Sequence, residues 1–484
     1  MTKSVRTLLF ALFVTLFLLI TPLVIGYSQG YRLDWQDKTI VQTGGLFLEP
    51  RPAPVEVYLN EKLVKKSSFV FQNVFLGNLI PKNYRLRIEK ENYSAWEKNL
   101  DIFPKLVTEA KNITLFPELG REAENVIGSK LRDFSASPSG KYFAFINNDS
   151  TPRITLYSIS AQKVTLTFDA PATFSDYKIE NIQWNKDSTR FMFLLKSDAS
   201  RKWVSVDPKA GALSSIDISS DISSSADFRK YTKELYKPVI SKVKWSLVDS
   251  DKLFFVAHDR DKKYLLFSYN IASKKISPPL AYDVLEYSPE KNAVFYVSSM
   301  LENINRLDPN TKKIYQVSFS NIFGKEKSAP TTFVSHAQEQ YLILKIADAL
   351  YRLDKKAGLM QKISDGVESA VVAADGKKIL LTGEKTLSVY WLEDTQIQPF
   401  RDAGDLEIIY TSAGAINDAV WFSKNNAYVL FADQDTIKVV ELDGRDKRNI
   451  HMLTEKPASK LFYEKDKEIL YFLSDETLYS LSLK

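Results

Sequence analysis

Cysteine is absent from the 484 residues, and histidine occurs three times. The first absence excludes disulfides, thiolate-bound metals, thiol nucleophiles and a lipid attached to an N-terminal cysteine. The second leaves little for acid–base or metal chemistry. His258, His336 and His451 stand apart, with no H-x-x-x-H pair. The nucleophile elbow G-x-S-x-G is missing, as are a phosphate-binding P-loop, a G-x-G-x-x-G turn and the sialidase box S-x-D-x-G-x-T-W. Asp259-x-Asp261 and Asp433-x-Asp435 each offer two carboxylates, but neither continues into an EF-hand loop, so both read as solvated turns. No catalytic, cofactor-binding or metal-binding residue stands out, and no cofactor is expected. Strong charge is missing too. Lys and Arg total 65 against 59 Asp and Glu, a net +6, and the lysines are scattered without a run of five or six. That argues against a nucleic-acid partner, which would need a basic stripe.

One long apolar run breaks the otherwise polar chain. Leu8 to Gly26 carries no charge. At about 1.5 Å per residue such a helix spans the ~30 Å hydrocarbon core of a bilayer. Lys3 and Arg6 precede it, and Asp34 and Asp37 follow. The positive-inside rule then puts residues 1–7 in the cytoplasm and the rest of the chain outside. The run exceeds a signal-peptide core, and Ile25 to Gly30 offers no A-x-A cleavage site, so an uncleaved signal anchor over 8–26 is expected. Tyr31 and Trp35, in a juxtamembrane linker over 27–42, suit either the membrane interface or packing on what comes next.

Thr43 to about Pro117 alternates apolar and polar residues with period two. Val55-Glu56-Val57-Tyr58-Leu59 and Tyr84-Arg85-Leu86-Arg87-Ile88-Glu89 are the clearest cases, and such alternation marks half-buried strands. Pro50, Pro54, Val55, Val57, Leu59 and Asn60, then Tyr84, Leu86, Ile88, Lys90, Asn92 and Tyr93, follow the pattern of a PEGA domain. The stretch 43–117 resembles that family, with Pro52-Ala53-Pro54-Val55 in place of the name-giving tetrapeptide. The resemblance implies a small β-sandwich found in envelope proteins and brings no catalytic residues.

Over 118–484 a second pattern repeats eight times, roughly every 40–60 residues: strand, polar turn, apolar strand, loop, strand. Its starts are Ser137-Pro138, Trp184, Trp245, Tyr287-Ser288-Pro289, Val334-Ser335, Ala374-Asp375, Trp421 and Tyr463. This spacing means a β-propeller, since each blade is too small to bury its own faces. Asp207, Asp308, Asp354 and Asp443 end third strands, where the side chain can bond the backbone two residues on. Ser137-Pro138-Ser139-Gly140-Lys141 and Ala374-Asp375-Gly376-Lys377 resemble the WD-like repeats of TolB-type propellers; the other copies are degenerate, which leaves seven or eight blades. The last copy stops after its third strand. Its fourth is expected from the segment before the first blade, within 112–130, because an open ring would expose an edge. Between Trp184 and Trp245 one short helix, 225–238, is expected to ride on the rim, with Phe228, Tyr231 and Leu235 on one face and Pro238 as its stop.

The chain therefore reads as all-β behind a transmembrane helix, with a PEGA-like sandwich and then a propeller. The function expected is that of a membrane-anchored, extracytoplasmic cell-envelope protein, not an enzyme, whose propeller binds an envelope protein or polysaccharide. The alternative is a propeller enzyme on envelope glycans, which would need two carboxyls about 5–9.5 Å apart in the central funnel.

Overall fold

A stretch without charge can satisfy its backbone in an apolar phase only as a helix. In the computed structural model α1 runs Lys3–Ser28, with Pro22 near its end. Residues 3–35, 37–119, 122–128, 130–149, 151–169, 176–198, 200–209, 216–298, 303–318, 330–334 and 340–484 are described. Leu8, Phe10, Leu12, Leu16, Leu19 and Leu23 of α1 are all exposed, so it is not the core helix of a soluble fold. It is long and apolar enough to cross a membrane. Residues 27–42 contain a hairpin, β1 (Tyr31–Asp34) paired with β2 (Thr39–Gln42).

Seven strands follow: β3 (Gly44–Arg51), β4 (Glu56–Leu59), β5 (Lys62–Lys66), β6 (Val74–Leu79), β7 (Asn83–Lys90), β8 (Tyr93–Asp101) and β9 (Val107–Thr114). They form two sheets, ordered β6-β3-β9 and β5-β4-β7-β8. The period-two alternation turns Leu46, Leu48, Val57, Leu86, Ile88, Trp96 and Leu100 into one shared apolar core. β9 lies parallel to β3, so the chain leaves this unit beside the strand that opened it.

β10 (Glu124–Gly128) comes next and belongs elsewhere, as shown below. The remaining strands make eight successive antiparallel sheets, each a meander over 131–169, 178–217, 239–276, 284–316, 331–364, 369–411, 416–454 and 460–482. Seven of them hold four strands of their own in sequence order, the third with a fifth short pair at Ala281–Tyr282. The eighth has three of its own, and β10 pairs antiparallel with its last strand, Thr477–Ser482. The ring is thus closed by a strand that precedes the first blade, and the described residues make eight blades.

Packing confirms the closure. Eight apolar clusters lie between neighbouring blades, one for each junction of the ring. The cluster joining last to first sets Tyr471, Leu473 and Leu478 against Phe134, Phe143 and Tyr157. The first strands of neighbouring blades meet around the centre, and Lys460 reaches Asp133 at 2.6 Å between the eighth and the first.

The aromatic residue that recurs in the repeat has a structural use. Indole Nε1 of Trp184, Trp245 and Trp421 donates to the backbone carbonyl of Ser135, Gln183 and Val371, each on the preceding blade's first strand. The Tyr287 hydroxyl reaches Phe254 O at 2.7 Å on the preceding blade. A large ring with one polar atom can thus pack between blades and still satisfy a buried carbonyl. The four aspartates behave as the turn chemistry requires. Asp207, Asp308, Asp354 and Asp443 accept from the amides of Lys209, Asn310, Lys356 and Arg445, two residues on. Gly140 and Gly376 sit at φ +65° and +73°, where a side chain would be strained.

Two helices, not one, occupy the long interval: α2 (Ile218–Ser224), capped by Asp217, and α3 (Ala226–Tyr231). They do not ride on the rim. Ile218, Ile222, Phe228 and Leu235 are buried in the cluster between the second and third blades. The second blade's fourth strand is two residues long, Ile216–Asp217, and these side chains fill the space it leaves.

Candidate functional site: the junction of the N-terminal unit and the seventh blade

β8 continues the alternation Trp96, Lys98, Leu100, so its lysine points to the buried side of the strand. What lies opposite is not solvent but the seventh blade. The Lys98 side chain is wholly buried. Its ammonium meets Glu441 Oε1 at 2.5 Å and donates to the carbonyls of Asp443 (2.9 Å), Arg445 (3.0 Å) and Lys447 (2.6 Å). The loop 443–447 therefore wraps around one cation. Glu441 also accepts from Trp96 Nε1 at 2.7 Å and from both the amide and side-chain nitrogens of Asn449 at 2.8 Å. Burial pushes the Glu441 carboxyl above the usual range, and the Lys98 ammonium and N–H donors pull against it. Asp443 is held below that range: burial raises it, but the Arg445 guanidinium and amide together with the Lys98 ammonium outweigh burial.

The rest of the junction covers the two sheet edges that would otherwise stay open. Along β8, Glu97 and Asn449 exchange two hydrogen bonds, and Asn99 donates twice to Asp446. Along β9, Gln398 bonds Glu109 N and Val107 O, and the Tyr428 hydroxyl accepts from Thr114 N at 2.8 Å. Phe116 then enters the cluster between the last two blades, edge-on to Phe422 at 5.3 Å and Tyr428 at 5.2 Å.

Two clefts flank this seam. One, of about 640 Å³, is lined by Arg51, Gln72, Tyr93, Phe422, Lys424 and Glu468 among others. The other, of about 360 Å³, has Trp391 under the Arg401 guanidinium, with Lys111, Gln398 and Asn425 beside it. Above the first cleft, the turn from β5 to β6 presents Phe69, Val70 and Phe71, which are 76%, 82% and 79% exposed. Ser68 holds this turn: its amide donates to Phe71 O and its hydroxyl accepts from Phe71 N. Three consecutive apolar side chains on an ordered turn are far from the usual surface.

The central funnel tests the glycan-cleaving alternative. Five carboxylates sit on the described first strands, at Asp133, Glu180, Glu286, Asp418 and Glu464. Asp133 accepts from Lys460 and Phe134 N. Asp418 accepts from Ala419 N and Leu461 N, and burial raises its carboxyl. Glu180 pairs with Lys196, and Glu464 takes two turn amides. Glu286 lies between Lys242 (3.0 Å) and Lys244 (2.7 Å). Burial pushes Glu286 up, and the two ammoniums more than reverse that, so it titrates below the ordinary carboxylate range.

Its folded value is thus below its unfolded value of about 4.3, so its stabilisation is complete above that pH and is lost as pH falls through the folded value. Glu286→Gln is expected to cost about 1–2 kcal/mol at pH 7, the lysines being partly exposed. The difference from wild type should shrink steadily on acidification below about pH 4, measured by denaturant unfolding. A pH-independent difference would contradict the pairing.

Where they are described, the histidines and the paired aspartates stand outside the junction's polar contacts. His258 sits beside Tyr264, and His451 packs against Phe116; His336 falls outside the described residues. Asp433 is engaged by Tyr410, Ser412 and Lys438, and Asp259 by Lys263 N. Among the described residues no three His, Asp or Glu side chains group as metal ligands. Lys98 was the residue missed, although Trp96, Lys98, Leu100 and Ile102 share one parity and so place the lysine on the apolar face.

No family model and no curated protein matches the chain. Among solved structures it is similar to the β-propeller domain of Cps50 (Swd1) from Myceliophteria thermophila, at 10% identity and a TM-score of 0.45, covering 75% of this chain and all of that one. It is also similar to the C-terminal WD40 domain of Sif2, at 11% identity and a TM-score of 0.48, covering 74% and 97%. The eight-bladed ring stands on its own strand order and closure, not on these likenesses.

Proposed function

We propose that this chain is a non-enzymatic scaffold anchored in a cell-envelope membrane. α1 crosses the bilayer once with Lys3 and Arg6 on the cytoplasmic side, and the residues from 27 onward lie outside. The unit over 43–117, PEGA-like in its residues, acts as a stalk, and the propeller over 118–484 is the platform it carries. The observation that carries this reading is the Lys98 junction. A buried cation caged by four oxygens couples stalk and propeller without a flexible joint, so the platform is held at a set angle to its anchor. Each carboxylate on the described first strands is hydrogen-bonded or paired with lysine, which supports a structural role for them over the acid and nucleophile of glycan cleavage.

The partner this surface suits is a protein, gripped by the Phe69–Val70–Phe71 turn beside the 640 Å³ cleft. Burying two phenylalanines on binding is worth roughly 1.5–3 kcal/mol each. F69S/F71S is therefore expected to weaken partner capture by at least about a hundredfold. The test places a photo-reactive residue at position 70 of the full-length chain in native membranes, with position 209 as control. One discrete protein adduct at 70, absent at 209 and lost in F69S/F71S, supports the reading. No adduct, with sugars released from isolated envelope by the wild-type chain, would put the enzyme in its place.

A further inference from the structure

The hairpin that follows α1 is turned inside out. Tyr31, Leu33 and Trp35 alternate with Arg32 and Asp34, and Ile40 lies directly opposite Leu33. These four, with Gln42 opposite Tyr31, form the open face, and they are 39%, 41%, 81% and 72% exposed. The face turned inward carries Arg32 and Asp34, with Val41 opposite Arg32. Arg32 donates to Asn78 Oδ1 of β6 at 3.1 Å and to the carbonyl of Tyr27 at 2.7 Å, with its guanidinium 3.5 Å above the Tyr27 ring. Asp34 is close enough to Tyr84 of β7 to add to the burial that raises its phenol. A hairpin on a water-soluble protein does the reverse, apolar face in and polar face out.

Its position relative to α1 is held. The helix ends at Ser28, and the hairpin begins at Tyr31. Gly30, at φ +84°, makes the bend, and its carbonyl accepts from both the amide and the hydroxyl of Thr43 at 2.9 Å, which ties the hairpin's base shut. The open apolar face therefore stays within a few residues of the point where an apolar helix ends.

We infer that this hairpin lies in the lipid interface of the leaflet from which α1 emerges, with Tyr31, Leu33, Trp35 and Ile40 among the headgroups and upper acyl chains. The inference rests on the reading of α1 as a membrane span. Two observations choose lipid over a protein partner. The nearest apolar phase to the face is the one that holds α1. Two of its four side chains are rings with a polar atom, the kind that settles where one end is wet and the other is not. The inward face then carries the N-terminal unit, so the hairpin acts as a foot that stops the stalk from tilting.

Trp35 reports on this directly, because Trp96, Trp203, Trp245, Trp391 and Trp421 are buried in the folded domains and Trp184 is packed on Tyr142. The full-length protein and its Trp35→Phe variant are reconstituted in phosphatidylcholine–phosphatidylglycerol vesicles. Part of the lipid is brominated either at carbons 6 and 7 or at carbons 11 and 12. The Trp35 signal, wild type minus variant, is expected to fall about twofold with the shallow label and less with the deep one. An unquenched Trp35 signal on vesicles that keep the protein through an alkaline carbonate wash overturns the foot and leaves the anchor standing. Stronger quenching by the deep label also overturns the interfacial placement. Loss of the protein in the wash overturns the anchor itself, and the foot with it.

Discussion

Lys98→Met is expected to destabilise the exterior part of the protein by about 3–5 kcal/mol and to uncouple its two parts. Methionine replaces the lysine stem as far as Cε but carries neither the charge nor an N–H donor. Glu441 is then left charged in a buried seam, with Trp96 and Asn449 still bonded to it, and the carbonyls of Asp443, Arg445 and Lys447 lose their shared donor. Each orphaned buried group adds desolvation that the native contact had offset. The measurement is urea unfolding of the full-length protein in detergent, followed by intrinsic fluorescence and by limited proteolysis. Wild type should unfold with stalk and propeller together. In the variant the stalk should melt first, seen as a separate early transition and as cleavage between 100 and 120. A second change, K98M/E441Q, removes the stranded charge while keeping an acceptor for Trp96. It should recover roughly 2 kcal/mol of the loss. A single unchanged transition in Lys98→Met, with a loss under about 1 kcal/mol, would mean that the seam is not what couples the two parts.

Replacing β10, Glu124–Gly128, by five alternating glycines and serines is expected to open the ring. β10 is the outer strand of the eighth blade, paired to Thr477–Ser482. Val126 and Ile127 pack on the cluster that joins the last blade to the first. Losing two part-buried aliphatic side chains and ordering extra glycine costs on the order of 4 kcal/mol. The larger consequence is geometric. Thr477–Ser482 becomes an unpaired edge, and the junction on which closure depends loses the segment that ties the start of the ring to its end. The variant should aggregate on warming, and hydrogen exchange should rise first in 469–482 and 131–147. Exchange that rises evenly over all eight blades would show that closure is shared around the ring.

Much of the fold was legible because it is written in neighbours. The apolar run at 8–26 dictates a helix long enough for a bilayer. Alternation in 55–59 and 84–89 dictates strands with one buried face. The repeat gives the blades, and the four aspartates give the turns, since each bond is made two residues away. Even the closing strand could be placed in 112–130, because a three-stranded last blade cannot stay open at its edge.

The candidate site was not legible in the same way. A lysine on an alternating strand reads as solvent-facing until its partner is known, and the partner of Trp96 and Lys98 is 345 positions away from the indole it binds. The helical insertion was visible, but its burial between two blades was not, because the shortness of the neighbouring fourth strand is a property of the assembled sheet. The segment after α1 reads in sequence as a linker whose Tyr31 and Trp35 suit either the membrane interface or packing on the next unit; its pairing into a hairpin was not legible. By itself the sequence determined the apolar helix, the alternating strands of the N-terminal unit and the recurrence of the blade pattern, with seven or eight blades left open, because these follow from local periodicity and turn chemistry. Only the tertiary structure decided which charges are buried, which edges are covered and which apolar faces stay open, because each of these depends on surfaces that meet after the chain has closed on itself.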